Sequence, residues 1–286
     1  MLGLDGIVYP FGSARTCPDI SGQHHEDVHF GFEFATDIEA TPDGRGYWTL
    51  VTDVRFISFA FVGFHHCDYL QDLPGLDSNV YRYEGFNLVD MRDGEHAVSL
   101  SALPSGKGYW VFTDRGRVIP FGSAQWYGDM SNVPLNGPIL DSVATPTGRG
   151  YWMVASDGGI FAFGDAKFYG SMGGTRLNQP VMSMAPDPDG TGYWLVASDG
   201  GIFAFSAPFY GSMGSTPLNR PVVGIVASPT GRGYLMVAED GGIFAFGDVP
   251  FHGSLGGSPP LWPIVSVSVV PWRLGKCAPP CTFVAV

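Results

Sequence analysis

The chain has 286 residues, of which 41 are glycine, 23 are proline and only 15% are charged. With 14% aromatic residues, this composition is typical of many short strands joined by tight turns and disfavours a helical protein. The balance of 15 basic against 27 acidic residues gives a net charge of -12, which argues against nucleic-acid binding, and no run of 18 apolar residues is present for membrane insertion.

A motif that opens with tyrosine recurs along the chain. Tyr-Trp opens it at positions 47, 109, 151 and 193, and Tyr-Leu opens a fifth copy at 234, in steps of 62, 42, 42 and 41 residues. The copy that begins at Tyr151 reads YWMVASDGGIFAFGD, and the copy that begins at Tyr193 is nearly identical. Self-similarity with a period of about 42 residues indicates a propeller or a solenoid.

Each copy divides into four short alternating runs at its turn signals. In the third copy the predicted strands are 138–145, 150–156, 160–164 and 167–171. The turn sequences TGRG and DGG supply the glycines that tight hairpins need at positive φ. Four antiparallel strands in about 42 residues make one blade of a β-propeller.

The two ends of the chain supply complementary parts of one further blade. Residues 264–270 and 282–286 are predicted as its first and second strands, and residues 6–14, which match the strand at 118–124, as its third. Pairing these segments covers the exposed sheet edges. We therefore predict an all-β protein, a six-bladed β-propeller with four-stranded antiparallel blades, closed by N- and C-terminal strands in one composite blade.

The whole chain, 1–286, is expected to form this single domain. The predicted units are blade 1 (1–20 with 262–286), blade 2 (32–70), an insertion (71–95), blade 3 (96–131), blade 4 (137–172), blade 5 (179–213) and blade 6 (220–255).

The repeat GYWxVASDGGIFAFGDAxFYGS resembles a propeller-forming repeat of secreted or surface proteins of actinobacteria, where it often stands beside a separate enzymatic domain. The resemblance is specific over about residues 109–255. It implies the fold and a secreted or cell-surface location, and it carries no catalytic residue over. Because the first residues lack the basic and apolar regions of a signal peptide, the protein is expected to be either cytosolic or a mature form with an added Met, and we favour the mature form.

Two neighbouring connections between blades depart from the repeat. The regular connections span 21 residues from a strand-four tyrosine to the next turn glycine, as from Tyr127 to Gly148. The first two connections, which begin at Cys17 and Cys67, span 27 and 39 residues. On a symmetric scaffold such enlarged loops are where function is expected, and connections of this kind emerge on one face.

Five of the seven histidines lie in these two connections. The candidate metal ligands are His24, His25, His29, His65 and His66, for a Zn, Cu or Ca ion. The candidate ligand-binding residues nearby are Asp72, Asp77, Tyr81 and Tyr83. Residues in a loop have no fixed geometry relative to one another. The same pattern is therefore also explained by an exposed insertion whose surface residues are polar and have no binding role.

The four cysteines allow two pairings. Cys277 and Cys281, separated by Ala-Pro-Pro in a predicted hairpin loop, are the expected disulfide. Cys17 and Cys67 occupy equivalent positions in neighbouring blades. A bridge between them requires outer strands that normally diverge to bring their Cα atoms within about 7 Å.

Two sets of repeated residues have structural and functional interpretations. Tryptophans recur in the second strand at Trp48, Trp110, Trp152 and Trp194, where they either pack between blades or form sugar-stacking platforms. Aspartates recur in the following turn at Asp114, Asp157, Asp199 and Asp240, where turn chemistry explains them.

Three functions are compatible with the sequence. The preferred hypothesis is an extracellular binding module that presents an irregular loop face to a glycan or protein partner. The second is a metal-dependent hydrolase or lyase that acts on a polysaccharide or ester at a His-rich site near the propeller axis, and the third is a multivalent lectin with repeated sites on the blades. No GxSxG, P-loop or HExxH motif identifies catalytic residues.

Overall fold

The computed structural model of the chain describes residues 1–4, 7–9, 33–42, 46–53, 59–66 and 86–269. Within these ranges the protein is all-β and forms no helix, so it offers no helix that could cross a bilayer. The strands are β1 (Leu2–Gly3), β2 (Glu33–Ala40), β3 (Gly46–Asp53), β4 (Phe59–His66), β5 (Phe86–Asp90), β6 (Ala97–Ala102), β7 (Gly108–Thr113), β8 (Val118–Gly122), β9 (Ile139–Ala144), β10 (Gly150–Ala155), β11 (Ile160–Gly164), β12 (Val181–Pro186), β13 (Tyr193–Ala197), β14 (Ile202–Phe205), β15 (Val222–Ala227), β16 (Gly233–Ala238), β17 (Ile243–Gly247) and β18 (Ile264–Ser266).

The strands pair in small antiparallel sheets that follow the chain. β2, β3, β4 and β5 form one four-stranded sheet, and three-stranded sheets follow in β6–β8, β9–β11, β12–β14 and β15–β17. β18 pairs with β1. The predicted strand 160–164 is confirmed as β11, and the two strands before it are one or two residues shorter than predicted.

The predicted fourth strand is wrong for the four three-stranded sheets. Residues 167–171, for example, form no ladder with β11. Instead the hydroxyl of Tyr193, in the next sheet, accepts the N–H of Tyr169 at 3.1 Å and donates to the carbonyl of Gly170 at 2.5 Å. Because one side-chain hydroxyl satisfies both backbone groups, this segment serves as a joint between sheets.

The second strand of each sheet forms the core. Every residue of β7, β10 and β16 is buried, which requires packing on both faces. Trp110, Trp152 and Trp194 are at most 2% exposed and contact the sheet that follows. The packing interpretation of the repeated tryptophans is therefore confirmed, and these side chains are closed to a ligand.

The first strands of the sheets contact one another in a cyclic order. β2 contacts β6, and the contacts continue through β9, β12, β15 and β18, which contacts β2 again. The N-terminal β1 pairs with β18, and Val8 forms a bridge with Leu2. The strand predicted at 282–286 and most of 6–14 lie outside the described residues.

Candidate functional site

Most of the sequence-predicted site residues lie outside the described ranges. These are His24, His25, His29, Asp72, Asp77, Tyr81, Tyr83, Cys17, Cys67, Cys277 and Cys281. His65 and His66 end β4, where their backbones pair with Tyr47 and Gly46. Among the residues that the structure describes, no group of three or more His, Cys, Asp or Glu is placed to hold a metal ion.

At one end of each sheet lie the turn between its second and third strands and the residues that lead into its first strand. Ser156 lies in the turn after β10, and its N–H donates to the carbonyl of Pro138, just before β9 of the same sheet. The carbonyl of Ser156 accepts the N–H of Val181, which begins β12 of the next sheet. The same bonds join Asp114 to His96 and to Ile139. We call this end the entry face, because the chain enters its first strands there.

The sheet β6–β8 departs from the repeat at the entry face through a buried ion pair. Arg117 Nε donates to both carboxylate oxygens of Glu95 at 3.0 Å, and Arg117 Nη2 donates to Glu95 Oε2 at 2.6 Å. Burial raises the pKa of Glu95, but the hydrogen bonds from Arg117, Arg92 N and Thr113 outweigh it, so the pKa lies below its usual value. Glycine stands at the position of Arg117 in the next three sheets, at Gly159, Gly201 and Gly242.

This ion pair also holds the chain that precedes β6. Arg117 Nη2 donates to the carbonyl of Asp90, the last residue of β5, at 2.7 Å. β5 lies inside the segment 71–95 that was interpreted as an insertion, and it adds a fourth strand to the sheet of β2. The end of that segment is therefore fixed against two sheets.

A second departure on the entry face involves His96 and Asp114. Asp157, Asp199 and Asp240 each accept the N–H of the glycine two residues later, as turn chemistry predicts. Asp114 lies one position earlier in its turn and instead accepts His96 N at 2.9 Å and contacts His96 Nδ1 at 3.1 Å. The His96 side chain is 55% exposed, so this pair presents an imidazole to solvent.

A set of equivalent residues links the first strands to one another, and sequence reasoning missed it. Five members lie ten residues before each repeated tyrosine, and the sixth lies on β18. They are Asp37, Ser99, Asp141, Ser183, Gly224 and, on β18, Ser266. We call them the first-strand series. Their spacing of 62, 42, 42, 41 and 42 residues matches the tyrosine steps, and this signal was available in the sequence.

Each side chain of the first-strand series accepts a backbone N–H from the next first strand. The donors and acceptors are Leu100 N to Asp37 (2.7 Å), Ser142 N to Ser99 (3.1 Å), Met184 N to Asp141 (2.9 Å), Ile225 N to Ser183 (3.4 Å) and Ile38 N to Ser266 (3.4 Å). Gly224 has no side chain to make the sixth link. The series therefore explains polar residues on otherwise apolar strands, since their side chains accept backbone N–H groups of the next first strand.

Asp37 and Glu39 of β2 and Asp141 of β9 carry carboxyl groups whose pKa values are raised. Burial, and then the charge of Asp141, raise the pKa of Asp37 to about 7, and burial with the two neighbouring carboxyls raises that of Glu39 to about 8. Asp141 also has a raised pKa, again through burial. The oxygens of Asp141 accept four protein donors, from Ser99, Ser142, Ser183 and Met184. Such a carboxyl group joins strands, and its hydrogen bonds do not fit a metal ligand.

One aromatic side chain is exposed at an equivalent position beyond each of four sheets. These are Trp126, Phe168, Phe209 and Phe251, which are 58–61% exposed. Before Phe168, the carbonyl of Lys167 accepts Trp152 Nε1 at 2.8 Å, and after it the N–H of Tyr169 is bound by Tyr193. The backbone on both sides is fixed, so these residues, and not the buried tryptophans, are the repeated aromatics available to a ligand.

A small, mostly apolar cavity lies beside β15–β17. Val226, Leu235, Ile243 and Val249 line it, together with His252, which occupies the position of the strand-four tyrosines. Tyr169 at that position donates to Gly190 O, whereas His252 Nε2 is buried and has no hydrogen-bond partner among the residues that the structure describes. The joint after β17 therefore differs from the regular joints.

Comparison with known proteins does not assign the chain to a class. No family model matches it, and no curated protein is significantly similar to it. The features that bear on function are therefore the departures from the repeat on the entry face and the exposed aromatic side chains.

Proposed function

We propose that the chain is a six-bladed β-propeller that acts as an extracellular binding module and presents its entry face to a glycan or a protein partner. The cyclic contacts of the six first strands support the blade number, because each of β2, β6, β9, β12, β15 and β18 would open one blade. The pairing of β1 with β18 supports closure by the two ends of the chain. The repeat resemblance supports the secreted or cell-surface location.

The observation that carries the binding function is the loss of symmetry on one sheet. On the regular sheets the entry face carries glycine and turn aspartate, whereas β6–β8 places there a fixed ion pair and an exposed imidazole. Arg92, Asp93 and Arg115 are exposed beside them. Charged and hydrogen-bonding groups held on a rigid scaffold can bind hydroxyl groups of a glycan or polar groups of a protein without a large cost in side-chain ordering.

A paired set of variants tests this function. The protein is applied to an immobilised glycan panel and to a pull-down from extracellular extract, and any retained ligand is then measured with His96→Ala/Arg115→Ala. We expect affinity to fall by about tenfold or more, as loss of central polar contacts does. Lys107→Ala changes an exposed residue in the turn between β6 and β7, at the opposite end of the same sheet, and should leave affinity unchanged. Equal losses in both variants would contradict the proposal.

A second candidate, the multivalent lectin, is favoured by the exposed aromatics. Sugar rings stack on aromatic faces, and four equivalent aromatic side chains would act together on a polysaccharide. Phe168→Ala/Phe209→Ala should then lower retention on insoluble polysaccharide far more than either single change. If His96→Ala/Arg115→Ala lowers retention and the phenylalanine variants do not, the entry face is the site and the lectin proposal fails.

A further inference from the structure

Three connections between sheets end in an asparagine that lies shortly before the next first strand. The equivalent residues are Asn136 before β9, Asn178 before β12 and Asn219 before β15, and the side chains of all three are exposed. They differ in the residue that follows, which is glycine at 137, glutamine at 179 and arginine at 220. The scaffold therefore carries three matched asparagines with different C-terminal neighbours.

Asn136 and Gly137 have the chemistry and the surroundings for a reaction between a side chain and its own backbone. The backbone nitrogen after an asparagine can attack the side-chain amide carbon, and glycine favours this attack because it has no Cβ to block the approach and the widest choice of φ and ψ. The pair lies in a bend outside the strand ladders. Neither the amide of Asn136 nor the N–H of Gly137 is hydrogen-bonded to a residue that the structure describes, so both reacting groups are available.

We propose that Asn136 and Gly137 form a self-modification site, at which the chain converts Asn136 into aspartate and isoaspartate. The proposal goes beyond the binding function and does not depend on it. Gly137 N gives its proton to a base in the solvent and bonds to Asn136 Cγ, while the bond from Cγ to Nδ2 breaks and the amide nitrogen takes up a proton and leaves as ammonia. Water then opens the cyclic imide. Cleavage of the new bond to Cγ gives aspartate, and cleavage of the original peptide bond gives isoaspartate.

The products would alter the entry face. Both add a negative charge, and isoaspartate also lengthens the backbone by a methylene group. The residues that follow are fixed, because the carbonyl of Pro138 accepts Ser156 N and the N–H of Ile139 donates to Asp114 O. The added length therefore falls next to two backbone hydrogen bonds that hold this end of the sheets together.

Incubation of the full, folded chain at mildly alkaline pH tests the proposal. Peptide mass spectrometry, with fragmentation that distinguishes aspartate from isoaspartate, follows the three asparagines in one sample. We expect Asn136 to convert faster than Asn178 and Asn219 by about tenfold or more, with both products present. Conversion of Asn136 at the same rate as the other two overturns the proposal.

Gly137→Gln tests whether the glycine is the cause. A Cβ at residue 137 would meet Ser156 Oγ, which is the end of a short side chain that can rotate away. At the equivalent positions of the next sheet a serine and a glutamine stand together, and Ser198 Oγ donates to Gln179 Oε1 at 3.4 Å. We expect the variant to slow the conversion of Asn136 to the rate of the other two asparagines.

The reciprocal variant Gln179→Gly provides the matched gain of reactivity. It places a glycine after Asn178, whose conversion should rise to the rate of Asn136 in the same sample. An unchanged rate in either folded variant refutes the self-modification site. Should Gly137→Gln not fold, Gln179→Gly decides alone, because it changes an exposed residue and removes no Cβ contact that a strand requires.

Discussion

Tyr193 illustrates how a single residue joins two sheets of this protein. Its hydroxyl binds the N–H of Tyr169 and the carbonyl of Gly170, and its aromatic group packs edge-on against Tyr169 at 5.5 Å between centroids. Tyr151 and Tyr234 repeat the arrangement at neighbouring joints. Burial raises the pKa of Tyr151 to about 12, so its hydroxyl keeps the proton that it donates.

We expect Tyr193→Phe to lower the free energy of unfolding by about 1–3 kcal/mol, because it leaves a backbone donor and a backbone acceptor without a partner. Phe168→Ala is a suitable control, since that side chain is 61% exposed in the same segment and its loss should change stability by less than about 0.5 kcal/mol. Urea unfolding of both variants measures the difference. Equal effects would mean that the hydroxyl contributes little to the joint.

The ion pair between Arg117 and Glu95 should be far more sensitive than a surface pair. Arg117→Met leaves the carboxylate of Glu95, only 1% exposed, without its main partner and should destabilise the protein by about 3–5 kcal/mol. Arg149→Met removes an exposed pair with Asp165 and should cost about 0–1 kcal/mol. Thermal unfolding at neutral pH compares the two variants. Similar shifts in melting temperature would show that the ion pair between Arg117 and Glu95 stabilises the protein no more than an exposed pair does.

At the scale of the element, the sequence predicted strands well and their partners less well. The alternating run 160–164 predicted β11 correctly, because turn glycines mark both ends of this strand. The prediction of a fourth strand was wrong because an alternating pattern does not reveal that the Tyr193 hydroxyl binds the backbone groups of this segment. β5 was missed because the inserted segment separates it from β4 along the chain, and no other copy of the repeat contains an equivalent strand.

The joints between sheets should also depend on glycine. Gly170 has φ +134°, and a Cβ there would lie 2.5 Å from Phe205 Cδ1 of the next sheet. We therefore expect Gly170→Ala to destabilise the protein by about 2–4 kcal/mol through backbone strain and overpacking. Gly257→Ala has open space and should be neutral within about 0.5 kcal/mol. Chemical unfolding measures both, and a neutral Gly170→Ala would contradict the tight joint.

At the scale of the whole molecule, the repeat predicted a succession of similar sheets, and the cyclic contacts of the first strands agree with that expectation. The first-strand series was overlooked because its links join residues 42 to 228 positions apart, and one aspartate or serine in an apolar strand carries little local signal. The candidate histidines, apart from His65 and His66, lie outside the described residues, so their proposed metal site stays a prediction.

A designed sixth link tests the cyclic interpretation. A Cβ on Gly224 would lie 2.7 Å from Val267 Cγ1, so Gly224→Ser alone should destabilise the protein. Gly224→Ser/Val267→Ala removes that clash and offers a hydroxyl to the N–H of residue 267. We expect this double variant to be more stable by about 1 kcal/mol than Gly224→Ala/Val267→Ala, which lacks the hydroxyl. No difference in unfolding midpoint would mean that β18 does not follow β15 in the way the other first strands follow one another.

The missing side chain at Gly224 has a mechanical consequence. Five contacts between successive first strands carry a side-chain bond from the series, and the contact of β15 with β18 carries none. We therefore expect a force that pulls the sheets apart to separate β15 from β18 first, while the first strands joined by the other five links, from β18 through β2 to β15, stay together.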